Sequence, residues 1–138
     1  MTLQFTYEHG NRHKHAAIKL PVNLQNPRLY RFERVQGLVD TGAEMTIVDM
    51  SLAARLGLKR IREQKVATAD ASQPARHYPV YVATVVIGDV FHETIEVVGL
   101  KRRNPNEILI GRDVINTWYM EIWGPTQQGV IRREPPSA

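Results

Sequence analysis

"GLVDTGAEMTIVD" runs from Gly37 to Asp49, and the fold turns on how it is read. Leu38 and Val39 precede Asp40, while Met45, Ile47 and Val48 follow it, so two strand-like apolar runs meet at a turn that begins with a carboxylate. An unpaired carboxylate is costly to bury, so an acid placed among apolar neighbours must be compensated or used. Asp and Gly are also ordinary turn formers, and the tripeptide alone reads as well as a tight turn between two strands.

Outward from that turn the chain is mostly β-rich. "HAAIKLPV" (His15 to Val22) reads as a strand, and "NLQNPRLY" as a loop with a Pro break. "RFERVQGLVD" ends in an apolar run into Asp40, and "MTIVD" is a second short strand. "SLAARLGL" reads as a short helix with Ser51 as its N-cap and Gly57 as its stop. A hairpin is expected from Val66 to Val82 with its polar tip around Asp70 to Pro74, then a Gly88-Asp89 turn and the strand "VFHETIEVVGL". "NEILIGRDVINTWYMEIWG" passes from a buried strand through Gly111 into a short helix from about Arg112. "YMEIW", "GPTQQG" and "VIRR" make a closing hairpin, and the chain ends in the polar tail "EPPSA".

A bare Asp-Thr-Gly is weak evidence, but the apolar residues on both sides sharpen it, and a second segment sharpens it further. "ILIGRD" (Ile108 to Asp113) is an apolar strand that ends at Gly111 and runs into a helix. In this order and spacing, the two segments resemble those of the retropepsin-like aspartic proteases, and the resemblance covers most of Ala16 to Arg132. It implies an all-β, retropepsin-like acid-protease fold: a small closed barrel with a flap hairpin and one or two short helices. The protease domain would span residues 15–133, preceded by an N-terminal extension (1–14) and followed by the polar tail (134–138).

The resemblance also implies an activity, that of an aspartic endopeptidase. Such enzymes activate water between two carboxylates that share one proton, and neither a metal nor a cofactor is implied. This chain has one Asp-Thr-Gly, because Asp49, Asp70, Asp89 and Asp113 are followed by Met, Ala, Val and Val. The second carboxylate must then come from a second copy related by a two-fold axis, which makes the expected protein a homodimer. By match to the family pattern, Asp40 is catalytic, Thr41 bonds across the two-fold, and Gly42 lets the backbone approach the carboxylate. Ala43 stands where pepsin-like enzymes usually carry Ser or Thr. Ala43 and the flap-tip residues Ala69, Asp70, Ala71, Ser72 and Gln73 would touch an extended polypeptide substrate. Gly111 would be structural, and Glu44 and Arg112 would form an ion pair beneath the active-site loop. The hairpin Tyr119 to Arg133 would supply much of the dimer interface. A rival reading keeps the same dimeric fold as a catalytically silent peptide-binding or scaffold module.

Composition narrows the alternatives. The chain has 138 residues, enough for one domain, and its 43% apolar content excludes wholesale disorder. No apolar run approaches a membrane span and the first residues lack a signal-peptide pattern, so a soluble, cytoplasmic protein without a membrane partner is expected. The absence of Cys excludes disulfides and Cys-based zinc sites. The formal charge is +4, but the basic clusters are scattered and carry few interleaved aromatics, so a nucleic-acid partner is not expected. "HGNRHKH" brings His9, His13 and His15 close together, and reads as an exposed polar turn before the first strand rather than as a metal site.

Overall fold

The computed structural model describes residues 1–9, 15–66 and 75–136. Among these residues, ten strands and two short helices follow in chain order: β1 (Thr2–Thr6), β2 (Lys19–Gln25), β3 (Phe32–Val39), β4 (Ile47–Asp49), α1 (Met50–Leu56), β5 (Arg60–Val66), β6 (Arg76–Ile87), β7 (Phe91–Leu100), β8 (Glu107–Ile110), α2 (Arg112–Ile115), β9 (Tyr119–Trp123) and β10 (Gln128–Arg132). The all-β class expected from the sequence is the one observed.

The larger sheet has the order β2-β3-β8-β4-β7-β6-β5, and a further pairing of β2 with β6 closes six of these strands into a barrel. Closure removes the open edges that a sheet of this size would otherwise present. Inside lie Leu20, Leu24, Val85, Ile87, Ile108 and Ile110, alternate residues whose side chains share the inner face of their strands. The remaining strand, β5, pairs only with β6 and carries Arg60, Arg62, Glu63 and Lys65 on largely exposed backbone. β5 and the first residues of β6 therefore form a largely exposed two-stranded arm at the margin of the barrel.

One crossing positions everything that follows. β3 and β4 are neighbours in sequence, yet β8 lies between them, parallel to β3 and antiparallel to β4. Residues 40–46 must therefore arch over the end of β8, which brings the Asp40 turn onto Gly111.

Several local expectations need correction. β2 continues to Gln25, because Asn23, Leu24 and Gln25 pair on both sides, with β3 and with β6. The first arm of the expected hairpin occupies Arg60–Val66, within the basic stretch before Val66, where pairing with β6 outweighs its polar composition. The helix α1 is capped by Asp49, whose carboxylate accepts from the Ser51 N–H, and Ser51 lies inside the helix. Gly57 ends it as expected, in a left-handed conformation (φ 65°) that suits glycine. β1 falls within the residues set apart as an extension and pairs over five residues with β10, forming a second sheet of order β1-β10-β9.

Candidate active site

Asp40 leaves β3 with its N–H donating to the Ile110 carbonyl (3.0 Å), which extends the β3–β8 ladder into the turn. The turn closes by a bond from Ala43 N–H to the Asp40 carbonyl (3.2 Å). The Gly42 N–H then donates to Asp40 Oδ1 at 2.9 Å, so the side chain is fixed by its own loop. Asp40 is half-buried in the single chain, whereas Thr41 and Gly42 are exposed. The acid is thus partnered and reaches solvent. Of the apolar flanks that suggested burial, Leu38, Val39, Ile47 and Val48 belong to the strands on either side of it, β3 and β4.

A network beneath the loop holds it in place. Arg112 N–H donates to the Ala43 carbonyl (2.8 Å) and Asp113 N–H to the Glu44 carbonyl (3.3 Å). The completely buried Thr46 accepts from Gly111 N–H at 3.2 Å and donates its hydroxyl to Asp113 Oδ1 at 2.8 Å. Asp113 Oδ2 also accepts from the Thr46 N–H (3.1 Å). Gly111 is required by this close approach: a Cβ there would lie 2.5 Å from the Met45 carbonyl carbon, and backbone cannot move aside as a flexible side chain can.

The expected Glu44–Arg112 ion pair is absent. Arg112 Nη1 donates instead to the Thr41 carbonyl at 3.0 Å, and Glu44 is exposed and joins no ion pair among the described residues. The two segments do cross, but they meet through backbone, which turns the guanidinium up toward the Asp-Thr-Gly turn. Thr46 and Asp113 were the residues the sequence reading missed as parts of the site. Asp113 does lie in the quoted "ILIGRD", but nothing local to it points across to Thr46.

Beside the turn is a pocket of ≈ 300 Å³, with Ala43, Met45, Ile47, Val66 and Val98 as its apolar walls and Arg112 at its edge. Its far wall is β5, through Gln64, Lys65 and Val66, so the pocket lies between Asp40's loop and that strand. The expected contacts Ala69, Asp70, Ala71, Ser72 and Gln73 lie outside the described residues, as does His13. His9 Nε2 is 2.8 Å from Gln127 Oε1. Among the described residues no cluster of His, Asp or Glu is arranged to hold a metal ion.

A barrel of this topology, with a short carboxylate-bearing turn braced by a glycine crossing, is the architecture of retropepsin-like aspartic proteases. The family model described as "gag-polyprotein putative aspartyl protease" matches residues 32–117, and the chain belongs to that family. Among solved structures the fold is similar to a retropepsin-like aspartic protease from Rickettsia conorii, at 21% identity and TM-score 0.57, covering 95% of this chain and 91% of that one. It is also similar to the foamy viral protease-reverse transcriptase, solved with an RNA/DNA hybrid, at 19% identity and TM-score 0.51 over 72% of this chain. The match spans only 12% of that viral protein. No curated protein sequence matches significantly. No helix among the described residues is long and apolar enough to cross a membrane.

Proposed function

We propose that the protein is an aspartic endopeptidase that works as a homodimer, with Asp40 of each subunit forming one catalytic pair. The observation that carries this reading is the Asp40 turn itself: a half-exposed carboxylate held by Gly42 on one oxygen and braced from below, in a sequence with a single Asp-Thr-Gly. The other described aspartates are engaged elsewhere. Asp49 caps α1, Asp113 holds Thr46, and Asp89 lies in the β6–β7 turn.

Two such turns facing each other across a two-fold axis would bring like charges close together, so the pair would keep one proton between them, as in aspartic proteases generally. The ionised member takes a proton from a water, and that water attacks the peptide carbonyl. The protonated member donates to the carbonyl oxygen, and a proton then passes to the departing nitrogen. Gly42 N–H fixes the carboxylate's orientation, and Arg112, through the Thr41 carbonyl, fixes the turn. The Thr41 hydroxyl, which has no partner among the described residues, would bond across the axis. Substrate would lie extended between the turn and the β5–β6 arm, with an apolar side chain in the pocket of Ala43, Ile47 and Val98.

The test is cleavage of a mixed peptide library by the wild-type chain and by Asp40→Asn, read by mass spectrometry with and without a statine-type inhibitor. Cleavage that is inhibited by statine and lost in Asp40→Asn is the expected result. Equal cleavage by both proteins would remove Asp40 from the mechanism. Binding without cleavage by the wild type would favour the silent peptide-binding module.

A further inference from the structure

At the other end of β3 from Asp40, roughly 26 Å away along eight residues of strand, the chain makes a loop whose surface nothing above explains. It runs from Asn26 to Arg31 and is rigidly built. Asn26 is 8% exposed, and its Nδ2 donates to the carbonyls of Leu56 and Gly57 at 2.9 Å each. Its Oδ1 accepts from the N–H groups of Arg28 (2.9 Å) and Leu29 (3.2 Å), and its own N–H donates to the Arg31 carbonyl (2.9 Å). One buried side chain thus ties the loop to the end of α1 and sets its shape.

What this frame displays is apolar. Leu29 is 49% exposed, Tyr30 109% and Phe32 58%, and Ile61 stands exposed nearby. Large apolar side chains gathered at one place on a surface mark a binding site, and a pinned loop gives up little entropy on docking. The same surface is basic. Arg28, Arg31 and Lys59 line its two hollows, against one acid there, Glu93, since Glu33 is taken by Arg55 at 3.1 Å. One hollow, of ≈ 720 Å³, lies between the loop and Thr84, His92 and Thr94; the other, of ≈ 340 Å³, lies between the loop and Gly57, Ile61 and Val82.

We propose that this loop is a docking site for an acidic protein segment that carries apolar side chains. The charge selects an anionic partner, and the exposed side chains require one with apolar groups of its own. The two hollows decide its shape. A flat lipid surface resting on Tyr30 would leave both unfilled, whereas an extended polypeptide can set a side chain into each and lay its carboxylates on Arg28 and Arg31. The site does not depend on Asp40, and it would act as a second point of attachment, separate from the cleft.

The probe is a fluorescein-labelled peptide alternating Glu with Phe and Leu, titrated into Asp40→Asn protein so that nothing is cut. Fluorescence anisotropy should show saturable binding, roughly tenfold or more tighter than for the same peptide with Lys in place of Glu, and weakened by salt. The doubly substituted Arg28→Glu, Arg31→Glu protein and the Tyr30→Ser protein should each lose roughly tenfold or more in affinity while keeping the wild-type circular dichroism. Unchanged binding in these variants would place the peptide elsewhere, in the cleft for instance, and overturn the proposal. So would equal affinity for the Lys peptide. Binding to phosphatidylglycerol vesicles with none to the peptide would replace the protein partner with a bilayer.

Discussion

Thr46 does more at the site than its size suggests. Its hydroxyl stands between the Gly111 N–H and the Asp113 carboxylate, fully out of water. Thr46→Val keeps the shape but strands a buried donor and removes a charge-assisted bond, which should destabilise the fold by about 1–3 kcal/mol in urea titrations. Thr46→Ser should recover most of that loss; failure to do so would show that the methyl group and not the hydroxyl matters. Gly111 acts by size alone. Gly111→Ala drives a Cβ into the Met45 backbone, and a loss of about 1–3 kcal/mol or more is expected, together with lost cleavage because the turn above must shift. A Gly111→Ala protein of wild-type stability would mean that the β8 end and the Asp40 arch do not meet as described.

Among the elements, α1 and its cap give a pH dependence that can be measured. Burial opposes ionisation of Asp49, but bonds from the Ser51 hydroxyl, the Arg102 N–H and the Ser51 N–H outweigh it and hold the carboxyl below its ordinary value of 3.8. A group whose folded value lies below its unfolded one stabilises the fold above the unfolded value and loses that contribution as pH falls through the folded value. Asp49→Ala should therefore cost about 0.5–2 kcal/mol at neutral pH, and the gap to wild type should close in acid below 3.8. A gap independent of pH would deny the charge any part in the cap. The sequence placed this helix and its Gly57 stop correctly, yet assigned the cap to Ser51. Two oxygen-bearing side chains two residues apart are both competent caps, and Asp49 wins because it also reaches the Arg102 N–H, a partner far along the chain.

For the whole molecule, one Asp-Thr-Gly per chain means that the proposed activity would belong to a pair. Specific activity should fall on dilution as dimers part, and peptide cleavage followed over a concentration series checks it. Mixing adds a stricter test: Asp40→Asn chains added to wild type should lower activity per wild-type chain, since mixed pairs carry only one catalytic carboxylate. Activity that stays proportional to wild-type chains alone would restrict the whole site to a single chain. The exposed Tyr119, Ile122 and Trp123 of β9 are where such a pairing would be sought first.

The local chemistry was written in residues that are neighbours in sequence. Asp40, Thr41 and Gly42 form their turn largely among themselves, the Gly57 and Gly88 turns need only their own backbones, and alternation of apolar residues was enough to mark most strands as β. The class of fold and the candidate acid were legible for that reason. What the tertiary structure alone decided was every relation between distant segments: β8 lying between β3 and β4, β1 joining β10, and the basic stretch Arg60–Val66 serving as a strand. Arg112 shows the reason most plainly. The family resemblance set it against Glu44 as a charge against a charge, but the β8 crossing fixes the two backbones first, through Ala43 and Glu44 carbonyls, and leaves the guanidinium facing the Thr41 carbonyl. Charge names the candidates for a pairing, and backbone geometry selects among them.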